Sequence, residues 1–171
     1  MTIEPKEVVN IRWLVPADLP QVLAIEETSF EFPWSDEEFR RCLRQQNCIG
    51  LVAESNHRVL GYVFYEIDRT QFHVLNLAVH PEYRRRGVGK TLVQKLIGKL
   101  APGGRTRIQL EVRETNLAAQ LFFRSMGFRA TAILRNFYED TVEDAYLMQY
   151  VYPGQQDVEA ADAARRWRMA G

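Results

Sequence analysis

Seven consecutive residues, Arg84-Arg85-Arg86-Gly87-Val88-Gly89-Lys90, combine the charges and the backbone freedom that an anion site needs. They follow the apolar run Val74 to Val79, which suits a strand buried on both faces. His80-Pro81-Glu82 ends that run, because proline donates to no ladder. After them, Leu92, Val93, Leu96, Ile97 and Leu100 recur at helical spacing. At a helix start the first amides lack an intrahelical partner, and the macrodipole adds partial positive charge. Gly87 and Gly89 let a bulky group approach the backbone, while Arg84, Arg85, Arg86 and Lys90 add whole charges. The arrangement points to a ligand carrying a pyrophosphate.

Two phosphate-binding motifs are excluded. A P-loop needs Gly, four residues, then Gly-Lys-Ser/Thr, and only Gly87-Val88-Gly89-Lys90-Thr91 stands here. The dinucleotide fingerprint needs a third glycine, where this chain has Leu92. The bland reading is a basic helix start on an ordinary α/β protein.

The chain as a whole limits the partners. Its 171 residues fit one domain with a sizeable core. Lys+Arg 22 against Asp+Glu 22 gives a net charge of +0, so neither nucleic acid nor a membrane surface is an expected partner. Cys42 and Cys48 are too few and wrongly spaced for a disulfide framework or a zinc site, and the 3 histidines share no metal-ligand spacing. No metal is expected. With no signal peptide or long apolar run, a reducing cytoplasm is the default compartment.

The elements that position the basic turn are legible in order. Residues 1 to 7 read as frayed, and Val8 to Val15 as an opening strand with Val9, Ile11, Trp13 and Val15 alternating against Asn10, Arg12 and Leu14. A helix spans roughly Leu19 to Ser29, with Leu19, Val22, Leu23, Ile25 and Glu26 inward. Phe30 to Ser35 forms an aromatic loop closed by the capping box Ser35-x-x-Glu38, which opens a helix over about Asp36 to Gln46. Cys48 to Glu54 and Val59 to Ile67 make a hairpin about Asn56-His57-Arg58. The strand ending at Val79 follows, then a helix from Gly87 to Leu100 that stops at Pro102-Gly103-Gly104. Arg107 to Val112 is a strand that must lie parallel to the one before it, because a helix intervenes. Asn116 starts a helix carrying Leu117, Ala118, Leu121 and Phe122 and ending at Gly127. Two late strands, about Arg129 to Arg135 and Ala145 to Tyr152, complete residues 1–152 as the predicted domain. Residues 153–171 form a polar tail, read as a frayed or loosely docked helix.

Five segments in order carry a resemblance. Arg84-x-x-Gly87-x-Gly89 after Leu77-Ala78-Val79 resembles the acetyl-coenzyme-A loop of the GCN5-related N-acetyltransferases. Leu110 to Asn116 with Ala118-Ala119, then Ser125-Met126-Gly127-Phe128, sit at that family's spacing. Phe32-Pro33-Trp34-Ser35 and Glu143 to Met148 are similar to the branch acting on protein N-termini, closest to the RimI type that acetylates ribosomal-protein alanine. The resemblance covers roughly residues 9 to 151. It implies an α/β fold with a mixed, mostly antiparallel sheet, splayed between its fourth and fifth strands and with helices on both faces. It implies acetyl-CoA as co-substrate, a protein N-terminus as acceptor, and a monomer or weak dimer. Backbone groups of Leu77, Ala78 and Val79 would hold the pantetheine arm, Arg84 to Lys90 (Val88 included) the pyrophosphate, and Asn116 the far side of the arm. A plain N-cap is the ordinary reading of that asparagine.

The implied chemistry is amine acetylation. A free α-amine has a pKa near ~8, so a proton must be accepted before or during attack, and one returned to the leaving thiolate. Glu111 stands alone on one strand face between Leu110 and Val112, and the matching residue in the family is the general base. The family's general-acid tyrosine is replaced by Phe123, which can wall the thioester but donates no proton. Water can then help the thiolate leave, Tyr138 can serve, or the chain only binds acyl-coenzyme A. Glu26, Phe32, Trp34 and Tyr138 would border the acceptor cleft, with Phe137 in place of one family tyrosine. Trp34 and Phe32 serve equally well as a seal on the core edge, and Glu26 as a salt-bridge partner. A lysine side chain or a small amine is the alternative acceptor.

Overall fold

The elements of the two halves of the sheet form by different rules, one around a packed aromatic core and one around a long hairpin. The computed structural model describes residues 8 to 169, the side chains of 156 to 160 excepted, so the expectation for residues 1 to 7 lies outside them. Contacts cluster into two units, Met1–Ile67 with Val74–Lys95 and Asp68–His73 with Leu96–Gly171.

The first unit holds β1 (Asn10–Trp13), α1 (Leu19–Ser29), α2 (Asp36–Arg44), β2 (Cys48–Ser55) and β3 (Arg58–Ile67). It also takes the greater part of β4 (Gln71–Val79) and of α3 (Val88–Ile97). Strand order is β1-β2-β3-β4, with β1 and β3 antiparallel to β2. The β2–β3 turn places Asn56 at φ 48 and His57 at φ 63, the left-handed pair that a tight hairpin requires. Val22 and Ile25 of α1 and Phe39 and Cys42 of α2 bury against Val52, Tyr62 and Phe64. The opening strand is shorter than the alternation suggests. Leu14, the residue after it, is buried, while Trp13 is 67% exposed.

Two features brace this unit, one polar and one covalent. Arg12 forks onto both oxygens of Asp18 at 2.8 Å and also reaches Glu54 Oε2 at 2.7 Å. Burial works to raise the Asp18 pKa, but the Arg12 hydrogen bonds and the Val15 amide outweigh it and hold the carboxyl below its ordinary value. The second feature corrects the sequence expectation. Cys42 at the end of α2 and Cys48 at the start of β2 form a disulfide, with Cα atoms 5.8 Å apart. Spacing alone hid it, since only the return of the chain from helix to strand brings the two together.

The second unit holds the start of β4, β5 (Arg107–Arg113), α4 (Leu117–Ser125), β6 (Arg129–Tyr138), β7 (Glu143–Val151) and α5 (Pro153–Met169). Its order is β4-β5-β7-β6. β4 and β5 run parallel, as expected, in the register Gln71↔Arg107, Phe72↔Ile108, His73↔Gln109. β7 is antiparallel to β5 and to β6, so the sheet is mixed. β6 runs on to Tyr138, past the expected end at Arg135, with a register shift between Leu134 and Tyr138. On α4 the buried residue is Phe123, whereas Leu117 and Leu121 are exposed. Gly127, at φ 95, ends α4 and returns the chain to Phe128 in the core. Among the described residues no helix is long and apolar enough to cross a membrane.

Candidate active site

In the first unit, β4 delivers the basic turn. Alternation buries Asn76 and Ala78 and leaves Leu77 and Val79 half-buried on the other face. A Cβ at Gly61 would come within 2.9 Å of the Ala78 carbonyl, so glycine there allows β3 to lie close to the end of β4. The His80 amide then donates to Leu60 O at 2.7 Å and fixes where the strand ends.

The turn itself divides its cations between structure and surface. Arg84 donates through Nε to Val79 O at 3.0 Å and through Nη2 to Ser29 Oγ at 3.0 Å, so its guanidinium ties the turn to β4 and α1. The Arg86 guanidinium carbon lies 5.4 Å from the centre of the Tyr83 ring. Arg85 and Lys90 are exposed. Arg85 at φ 61 and Gly87 at φ 84 bend the backbone through the left-handed region. A Cβ at Gly87 would meet nothing within 4 Å, which leaves the approach to its backbone open. The bond from Thr91 N to Gly87 O (2.9 Å) opens α3, so the amides of Val88, Gly89 and Lys90 are those a helix leaves without an internal partner. These residues suit a diphosphate: exposed cations, leading amides and an uncrowded glycine.

Glu26 is not at a surface. It is 1% exposed, and its carboxylate accepts from Trp34 N at 2.9 Å, from Asn76 Nδ2 at 2.9 and 3.0 Å, and from the Tyr62 hydroxyl. Burial and then the Glu26 charge push the Tyr62 phenol well above its ordinary value. The carboxylate thus anchors the aromatic loop from inside. In that loop Trp34 packs on Phe39 at 5.2 Å and on Phe64 at 6.2 Å between ring centres, while Phe32 is 45% exposed. One aromatic seals the core, and its neighbour two residues away faces solvent.

In the second unit, β5 alternates between buried Ile108, Leu110 and Val112 and half-buried Gln109, Glu111 and Arg113. Glu111 Oε2 lies 2.7 Å from His73 Nε2, with the two side chains 15% and 28% exposed. His73 pairs with Gln109 across the parallel ladder, and Glu111 is the next residue on the same face, so the contact is diagonal. Asn116 caps α4, its Oδ1 accepting from Ala119 N at 3.1 Å, and its Nδ2 remains as the donor end. Phe123 is buried between Phe122 and Phe128, at 5.0 and 5.2 Å between centres.

Tyr138 is half-buried, 3.8 Å from its ring centre to the Arg113 guanidinium carbon and edge-on to Phe137. Burial raises its pKa, the Arg113 charge partly offsets this, and Glu111, Asp140 and Glu143 add to the rise. The phenol therefore keeps its proton at neutral pH. Arg113 is itself gripped by both oxygens of Asp140, at 2.9 and 2.6 Å. A groove of about 870 Å³ lies elsewhere in this unit, between Leu117, Leu121 and Arg124 of α4 and Tyr146, Met148 and Tyr150 of β7, and none of the expected site residues lines it.

His73, Tyr62 and Asn76 are the partners that the sequence reading missed. Each lies on an apolar strand, and only the pairing of β4 with β5 (for His73) or the packing of α1 on the sheet (for Tyr62 and Asn76) says which carboxylate it meets. Among the described residues no group of three or more His, Cys, Asp or Glu is arranged to hold a metal ion.

Known proteins resemble this chain in both sequence and fold. The profile of the Acetyltransferase (GNAT) family matches residues 19–128. The [ribosomal protein bS18]-alanine N-acetyltransferase of Escherichia coli (strain K12) is 32% identical over 141 residues, spanning 81% of this chain and 95% of that protein. The N-alpha-acetyltransferase RimI of Mycobacterium tuberculosis is 32% identical over 149 residues, 84% of this chain and 92% of that one. The crystal structure of the E. coli ribosomal-protein-S18-alanine N-acetyltransferase superposes with a TM-score of 0.76 at 31% identity, covering 84% of this chain and 94% of that one. The profile match and the 32% identity over most of both chains place it plainly: the chain belongs to the GNAT family of acetyl-CoA-dependent N-acetyltransferases.

Proposed function

We propose that this enzyme acetylates the α-amine of a protein N-terminus, and that its acceptor is the N-terminal alanine of a small-subunit ribosomal protein. The observation that carries the reading is the 32% identity to a bS18-alanine N-acetyltransferase over 95% of that protein's length. The GNAT architecture alone would leave the acceptor open, because one fold hosts many substrates.

In this reading the exposed Arg85, Arg86 and Lys90 and the amides of Val88, Gly89 and Lys90 hold the diphosphate of acetyl-CoA, with Arg84 bracing the turn. Backbone groups of Leu77, Ala78 and Val79 and the Nδ2 of Asn116 hold the pantetheine, and Phe123 supports its wall. Phe32 and Tyr138 contact the acceptor, and Glu26 acts through Trp34 by fixing the loop that carries Phe32. The amine nitrogen attacks the thioester carbon directly. A C–N bond forms, the C–S bond breaks, and Glu111 takes the ammonium proton. Coenzyme A leaves as a thiolate, an accessible leaving group for a thiol of pKa near ~8.5, and is protonated by water or by Tyr138.

The deciding experiment is mass spectrometry of protein N-termini from cells with and without the gene. Loss of acetylation on a ribosomal-protein alanine supports the reading. Full acetylation in its absence, together with transfer by the purified enzyme to lysine peptides with blocked N-termini, would replace it with the lysine alternative.

A further inference from the structure

The contact between β4 and β5 involves a side chain for which the reaction outlined above has no role. We propose that His73 is a positioning residue for Glu111: it holds one carboxylate oxygen so that the other is presented to the acceptor amine. This rests on the reading of Glu111 as the general base.

The argument is geometric. An ionised carboxylate only accepts hydrogen bonds, so at the 2.7 Å contact His73 Nε2 is the donor. The bond engages Oε2 and thereby fixes the carboxylate torsion, which in glutamate is otherwise broad. Both side chains are partly accessible, at 28% and 15%, so the pair is not a core ion pair sealed from substrate. Their backbones are held as well. His73 lies in the paired register with Gln109, and Glu111 is registered opposite Leu147 of β7, so strand pairing sets the distance between them. A base held to within tenths of an ångström by a second group is what efficient proton transfer demands, and loosening it costs turnover rather than binding.

The test uses the full-length enzyme with acetyl-CoA and the free-amine peptide that wild type turns over fastest. His73→Leu keeps a side chain of similar size but removes the donor, while His73→Gln places an amide N–H at similar reach. The expected result is a fall in kcat of about tenfold to a hundredfold for His73→Leu, with the acetyl-CoA KM within about twofold, and recovery of most of that loss in His73→Gln. In a Glu111→Gln background, His73→Leu should cost nothing further, because the group it positions has gone. If Glu111→Gln is impaired while His73→Leu keeps wild-type kcat, the proposal is overturned and the base assignment stands. If the two losses multiply in the double variant, or if Gln rescues no better than Leu, His73 is a structural residue. If Glu111→Gln itself turns over normally, the base assignment falls and takes the proposal with it. Thermal melting of each variant accompanies the kinetics.

Discussion

The backbone amide of Trp34 donates to Oε1 of Glu26 at 2.9 Å, so the loop that carries Phe32 hangs from a carboxylate buried under α1. The same carboxylate is held from the sheet by Asn76 and Tyr62. A buried charge with these donors is stable only while all of them are present, since an unmatched donor costs free energy. Glu26→Ala is expected to lower stability by about 3 kcal/mol, read in denaturant melts. At a temperature where it stays folded, the acceptor KM should rise while the acetyl-CoA KM stays within about twofold.

The turn at Gly87 offers a local test of coenzyme binding. At φ 84 a side chain is strained even though a Cβ would meet no protein atom. Gly87→Ala should cost about 1 kcal/mol of stability and weaken acetyl-CoA binding measured by calorimetry. Arg86→Ala and Lys90→Ala should each weaken it several-fold, and their binding deficit should shrink at high salt as the charges are screened. Stability should be unchanged for Lys90→Ala and lower by at most about 1 kcal/mol for Arg86→Ala, which loses its contact with Tyr83.

Asp18 sets an acid limb on stability. Its pKa is lower in the native state than in the unfolded chain, so between the two values the unfolded state binds more protons. The stabilisation is therefore complete above the ordinary carboxylate value of 3.8 and is lost as pH falls through the lowered native one. Arg12→Ala should destabilise by about 3 kcal/mol at neutral pH, because it leaves a buried carboxylate without its fork. The variant's melting temperature should also depend less on pH in the acid range.

The disulfide between Cys42 and Cys48 closes a short loop at the junction of α2 and β2. Non-reduced, denatured protein should therefore show no titratable thiol, since both cysteines of the chain are in the bond. Replacing both with alanine should lower stability by about 2 kcal/mol. Adding reductant to the wild type should lower its melting temperature in the same direction.

Phe123 stands where the family resemblance expects a tyrosine, and it is buried between two other phenylalanine rings. A hydroxyl added there meets an aromatic surround, and in the proposed reaction the thiolate leaves without it. Phe123→Tyr is thus expected to leave kcat within about threefold and to lower the melting temperature slightly. A tenfold gain in kcat would instead show that the enzyme lacks a proton donor.

What the sequence determined by itself is what depends on near neighbours. The capping box at Ser35, the hairpin turn at Asn56-His57, the glycine-bearing start of α3 and the Asn116 cap are encoded within a few residues each, and all are found where the residues place them. The parallel relation of β4 and β5 was legible because a helix between two strands leaves little choice. Tertiary structure alone decided which side chains meet. Glu26 has the same helical periodicity whether it faces solvent or Tyr62 and Asn76, and its burial shows only once β3 and β4 lie beneath α1. Strand alternation assigns His73 and Glu111 to faces, but the register that brings their polar atoms within 2.7 Å is set by pairing between segments 38 residues apart. For the same reason Cys42 and Cys48 look unpaired along the chain and are bonded in the fold.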